Sequence, residues 1–176
     1  MSGASPRRVV TGHDAAGRSV FLSDGAPPVA RTAPDGAAFH EIWCTDAMPA
    51  PITATEGEPT ARSLTVPPEP GGTKIRVNVF PPGLVSPTHR TRSIDYGIVL
   101  DGEVVLVLDG AETVLRAGDV VVQRGTVHRW ENRGAVPARM VFVLVDGVFT
   151  DSLADVLGPD VLGSLFHDPM RPREES

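Results

Sequence analysis

The 176-residue chain has one cysteine, Cys44, one lysine, Lys74, and one tyrosine, Tyr96, and aromatic residues make up 5% of it. A lone cysteine forms no internal disulfide and no thiolate cluster for structural zinc, so a reducing, cytoplasmic setting is expected. No apolar run approaches the roughly eighteen residues of a membrane span, and the stretch behind Arg7 and Arg8 lacks a signal peptide's apolar core. No membrane partner is expected. The net charge of −6 argues against the clustered positive field that nucleic acid requires, so that partner is not expected either. There is no glycine-rich phosphate loop, no Ser-His-Asp order and no Cys-His pair, which leaves nucleotide binding and nucleophilic hydrolysis without support.

What is abundant is turn-forming residues, with 18 glycines and 17 prolines. Val9-Val10 and Ser19–Leu22 flank a Gly17-containing turn and predict an N-terminal hairpin. His40–Cys44 predicts a short strand. From Asp46 to Gly72 prolines recur without a period of 2 or 3.6 residues, so this is a lid, an arm on a partner subunit, or a disordered loop. Strands are then predicted at Lys74–Phe80, Tyr96–Leu100, Glu103–Leu108, Thr113–Leu115, Val120–Gln123, Val127–Glu131 and Arg139–Val145, separated by X-Gly turns. After Gly147, Leu153, Val156 and Leu157 fall at helical spacing and Gly158-Pro159 ends the helix. Val161, Leu162, Leu165 and Phe166 suggest a second short helix, both packing over a barrel end. The chain thus reads as one all-β domain: residues 1–72 an N-terminal extension packing on the barrel, 73–147 the barrel core, and 148–176 a helical segment and tail.

Two segments carry the chemistry. His89, Thr91, Ser93 and Asp95 share one parity, and so do His128, Trp130 and Asn132; residues two apart on a strand face the same way. Two imidazoles, a carboxylate, an indole and small hydroxyls are therefore offered to one interior. Asp95 is either a ligand or a salt-bridge partner of Arg90 or Arg92. Tyr96, of opposite parity, is expected in core packing, and His13, His40 and His167 are read as surface or structural.

The spacing of Gly83, His89, Thr91, Asp95 and Gly102, then Gly118, Gln123, Gly125, His128 and Asn132, resembles the two motifs of the cupin family over roughly Pro81 to Val145. The resemblance implies a double-stranded β-helix, a jelly-roll barrel whose interior holds Fe, Mn, Ni, Zn or Co on three histidines and a glutamate. Here Thr91 replaces a histidine, Asp95 the glutamate and Gln123 a proline, the last expected to alter only turn rigidity. What remains, His89, Asp95 and His128, is the ligand set of a 2-His-1-carboxylate site with open positions for substrate.

The expectation is a metal-dependent small-molecule enzyme, a homodimer, doing Lewis-acid chemistry on an oxygenated or carbonyl compound: dehydration, decarboxylation or isomerisation. Thr91 or Ser93 would shuttle a proton, and Trp130, Asn78 and Arg76 would line the substrate pocket. An Fe(II) dioxygenase on the same ligands and a non-catalytic small-molecule-binding barrel are the alternatives.

Overall fold

Alternating side chains and glycine turns produce the strands in a computed structural model that describes residues 5–55, 57–62, 65–158 and 165. In chain order the elements are β1 (Arg8–His13), β2 (Ser19–Gly25), β3 (Val29–Thr32), β4 (Ala38–Thr45), β5 (Thr73–Phe80), β6 (Ser93–Asp101), β7 (Glu103–Val107), β8 (Glu112–Arg116), β9 (Val120–Arg124), β10 (Arg129–Glu131), β11 (Ala138–Asp146) and α1 (Asp151–Leu157). The strands form a six-stranded sheet in the order β3-β4-β5-β11-β6-β9, a three-stranded sheet β10-β7-β8, and the separate hairpin β1-β2. All the strand pairings are antiparallel.

The core lies between the two larger sheets. Val99, Met140, Phe142 and Leu144 come to it from β6 and β11, and Val104, Leu106 and Trp130 from β7 and β10. Burying an aliphatic or aromatic side chain of this size stabilises the fold by about 1.5–3 kcal/mol each, which sets the inward register of every strand involved. Along β6 the alternation is regular: Ser93, Asp95, Gly97 and Val99 are buried, and Ile94, Tyr96 and Leu100 are exposed. Tyr96 therefore does not pack in the core; its parity places it on the outer face, 41% exposed. Gly97 keeps the inner face low, since a Cβ there would sit 2.9 Å from Val121 and 3.1 Å from the Phe142 ring.

On β5 the inward residues are the polar ones. Lys74, Arg76 and Asn78 are buried in the same alternate register as Phe80, while Val77 and Val79 occupy the other face.

The N-terminal region is more integrated than an appended arm. β4 pairs along β5, and β3, which the sequence did not suggest, adds an edge strand beyond it. The Pro-rich stretch is fastened to its own chain at several points. Glu58 pairs with Arg8, Arg62 with Asp46, Pro59 O accepts from Cys44 Sγ, and Thr65 O and Pro67 O accept from Lys74 Nζ. It then delivers Val66 to the interior.

The α1 helix forms where expected, but it buries none of its side chains, with Val156 81% exposed. Two adjacent helical turns are too short to carry a broad apolar stripe, and the packing role expected of it is not met. The second helix suggested around Val161–Phe166 lies outside the described residues, apart from Leu165.

Candidate functional site

A cavity of about 550 Å³ opens into the space between the two larger sheets. Phe39, Val66, Phe80, Val85, Trp130, Phe142 and Leu144 supply most of its apolar wall, and Arg76, Asn78, His89, Thr91, Asp95, Gln123 and His128 its polar groups. The turn residues Ala33, Pro34 and Asp35, between β3 and β4, also contribute. A largely apolar enclosure with a few convergent polar groups is the usual form of a small-molecule site.

The two histidines are brought together by the backbone. The His89 N–H donates to His128 O and the His128 N–H to His89 O, 2.9 Å each, in an isolated antiparallel bridge. Residues paired in this way project to the same face, and the ring centroids are 4.4 Å apart. Gly125 sets up the approach: its φ of +65° turns the chain out of β9, and a Cβ there would lie 2.6 Å from the Phe149 ring.

Each ring is then fixed by a local carbonyl. His89 Nδ1 lies 2.8 Å from Pro87 O and His128 Nδ1 2.9 Å from Thr126 O. A carbonyl only accepts, so Nδ1 carries the proton on both rings and Nε2 carries the lone pair. Burial, with His128 and Arg76 nearby, pushes His89 down to about 4, and burial likewise lowers His128. Both imidazoles are neutral bases at neutral pH.

Asp95 lines the same cavity but is otherwise engaged. Its Oδ1 accepts from Ser93 Oγ at 2.6 Å, and its Oδ2 lies 3.4 Å from Thr91 Oγ1; Ser93 Oγ and Thr91 Oγ1 are 2.9 Å apart. Burial raises the Asp95 pKa above its ordinary value, opposed by the Ser93 hydrogen bond and the positive charge of Arg76. No ion pair of Asp95 with Arg90 or Arg92 occurs among the described residues. Ser93 is buried behind Thr91 and Asp95 and does not itself line the cavity.

The donor set can be weighed against a metal. Two neutral imidazoles, each anchored through Nδ1–H, have the form of metal ligands with their outer hydrogen bonds in place. The carboxylate does not add to them: no group of three His, Cys, Asp or Glu side chains gathers for an ion among the described residues. An aspartate, one methylene shorter than the glutamate of the motif, stays with the hydroxyls of Ser93 and Thr91. The pair offers two neutral imidazole donors on one cavity wall; the three-residue set expected from the sequence is not assembled among the described residues.

The remaining candidates sort by contact. Trp130 walls the cavity, 5.4 Å from Phe142 and 6.1 Å from His128 between ring centroids. Arg76 donates to Val66 O and stacks over Phe39, with its guanidinium carbon 5.1 Å from the ring centroid. Asn132 is structural: its Nδ2 donates to Phe80 O and Val136 O, and its Oδ1 accepts from the Gly134 N–H. His40 is buried in β4 and His13 is exposed on β1; His167 lies outside the described residues.

Gln123 is the residue whose part the sequence understated. It is an inward residue of β9, 4% exposed, directly across from Asp95, and it lines the cavity. Its parity with Val121 was the available signal.

Comparison with known proteins agrees with this architecture. The family model described as "Cupin domain" matches residues 76–144. The cupin-domain-containing oxidoreductase fogC of Aspergillus ruber is 41% identical over 149 residues, which span 79% of this chain and 71% of that protein. The chain belongs to the cupin superfamily. This cupin is also 44% identical over 151 residues to the phomopsin biosynthesis cluster protein C' of Diaporthe leptostromiformis, covering 81% and 79% of the two chains. Among solved structures it is similar to a Cupin 2 conserved barrel domain protein from Salinispora arenicola, with 28% identity, a TM-score of 0.40, and coverage of 48% of this chain and 68% of that one. The glycines that the cupin motifs space, Gly83, Gly102, Gly118 and Gly125, all have positive φ in this cupin. At Gly102 a Cβ would meet Ala138 Cα at 2.7 Å.

Proposed function

We propose that this cupin is a small-molecule enzyme whose reacting centre is the His89–His128 pair, acting on a largely apolar substrate that carries a carbonyl or hydroxyl oxygen. The observation that carries the reading is the shared tautomer: both rings are locked with Nδ1–H on a backbone carbonyl, so both lone pairs are on Nε2. Neutral imidazoles of this kind are suited to hold a divalent metal, and their lowered pKa values keep the Nε2 lone pairs unprotonated at neutral pH.

The chain's own residues divide the work. Trp130, Phe142 and Leu144 hold the apolar body of the substrate and exclude water. His89 and His128 would hold the ion, one of Fe, Mn, Ni, Zn or Co, which supplies polarisation of the substrate oxygen when bound. Asp95 gives or takes the proton that dehydration, decarboxylation or isomerisation must move. Its raised pKa brings it closer to neutrality than an ordinary carboxylate, as proton exchange requires. Ser93 and Thr91 orient that carboxyl and pass protons along their hydroxyls.

The names of the relatives favour one second reading. A cupin-domain-containing oxidoreductase at 41% identity supports oxidation of the bound molecule, which would need a redox-active metal on the same imidazoles. The biosynthesis-cluster relative supports a substrate that is itself a biosynthetic intermediate.

Metal analysis of the protein as purified, followed by oxygen consumption with candidate substrates, tests the two together. A bound divalent ion with turnover and no oxygen uptake supports the first reading. Iron with substrate-dependent oxygen uptake supports the second. Metal content unchanged by both His89→Ala and His128→Ala contradicts both.

A further inference from the structure

Gln123 has an amide that the fold does not use. It is 4% exposed and lines the cavity, and neither its Oε1 nor its Nε2 has a hydrogen-bond partner among the described residues. Buried amides are almost always satisfied, so one left unmatched at both ends of its polar group calls for a partner that arrives with the ligand. The neighbouring wall does not provide it: Phe142 and Leu144 are apolar, and Asp95, across the strand pair, accepts from Ser93 and Thr91 rather than from Gln123. Asn78 repeats the pattern on β5, its Oδ1 buried in the same cavity without a partner among the described residues.

We propose that Gln123 is the specificity-determining residue of this cavity, reading a neutral carbonyl flanked by an N–H or O–H donor. The Gln123 Oε1 accepts from the donor while Nε2 donates to the carbonyl, a two-bond pairing that an ether, an ester or a hydrocarbon cannot complete. A carboxylate fits poorly, because it accepts only and would face Asp95. The inference rests on the cavity being a small-molecule site and names its substrate class: compact, mostly apolar molecules with a lactam, carboxamide or hydroxy-carbonyl edge. A site built around buried polar groups rejects analogues that leave them unpaired more strongly than an apolar pocket rejects a missing methylene.

Calorimetry with 2-pyridone, N-methyl-2-pyridone and toluene, on the full chain and on Gln123→Leu, tests this. The wild type is expected to bind 2-pyridone at least tenfold tighter than its N-methyl analogue, and Gln123→Leu to bring that ratio near one without weakening toluene. The thermal midpoint of Gln123→Leu should hold or rise, because no protein hydrogen bond is lost. On the wild type, the Gln123 side-chain NH₂ resonances should shift with 2-pyridone and not with toluene, a readout that needs no variant. No preference in the wild type, including no binding of either pyridone, overturns the proposal; so does a ratio that survives in Gln123→Leu. None of these measurements involves turnover, so their failure leaves the histidine pair's catalytic role standing, and failure of catalysis leaves them readable.

Discussion

His89 and His128 are 39 residues apart in sequence and exchange both backbone hydrogen bonds, 2.9 Å in each direction. That bridge puts both side chains on one cavity wall, where the Pro87 and Thr126 carbonyls fix the rings with their centroids 4.4 Å apart. The backbone therefore survives when a ring is removed, and the histidines can be tested by substitution without dismantling the sheet.

Their depressed pKa values fix the sign of a pH dependence. With its folded value near 4 against an ordinary 6.5, His89 stays neutral while the unfolded chain takes up a proton. Its contribution is present above about pH 6.5 and is lost as pH falls toward 4, at most about 3 kcal/mol, with His128 adding in the same direction. Asp95, its folded pKa raised, opposes this in part, since its contribution is lost as pH rises through the folded value. For chelator-treated protein the thermal midpoint should fall between pH 7 and 4.5, and His89→Asn should flatten the fall. An equal fall in both proteins would show that His89 does not titrate as described.

Trp130 anchors both the core and the cavity wall, 4% exposed and stacked near Phe80 at 6.3 Å between centroids. Trp130→Ala should cost about 3–5 kcal/mol in denaturant unfolding, the range for a buried large aromatic. A loss under about 1 kcal/mol would mean that the ring is a mobile part of the wall and not a core element.

Gly125→Ala should be destabilising by more than the glycine-to-alanine exchange costs at an ordinary position. The residue has φ +65° and its added methyl would press on Phe149 at 2.6 Å. We expect a loss of roughly 1–3 kcal/mol together with weaker ligand binding, because the turn delivers His128. Unchanged stability and unchanged binding would contradict that link.

Much of this was legible beforehand, for identifiable reasons. Alternation located β5, β6 and β11, and the two motif spacings gave the barrel and the cavity-facing parity of His89, Asp95 and His128. The edge strand β3 was missed because Val29–Thr32 follows Pro27 and Pro28 and is too short to show a period. Parity also says which face a residue takes, not what it meets there. The capture of Asp95 by the Ser93 and Thr91 hydroxyls accompanies a break in the strand after Arg90, and parity turns Gln123 inward while only the β6–β9 register sets it opposite Asp95. Tyr96 follows its parity and not its aromatic character, which alone would favour the core, and stands 41% exposed on the outer face of β6.

The paired imidazoles are the centre of the account, and cobalt(II) titration tests them most directly. Chelator-stripped wild type should take up one equivalent of Co²⁺, followed by calorimetry and by its visible absorption, and the His89→Ala/His128→Ala double variant should take up none. Equal Co²⁺ uptake by the two proteins would contradict the assignment of His89 and His128 as the metal-holding pair.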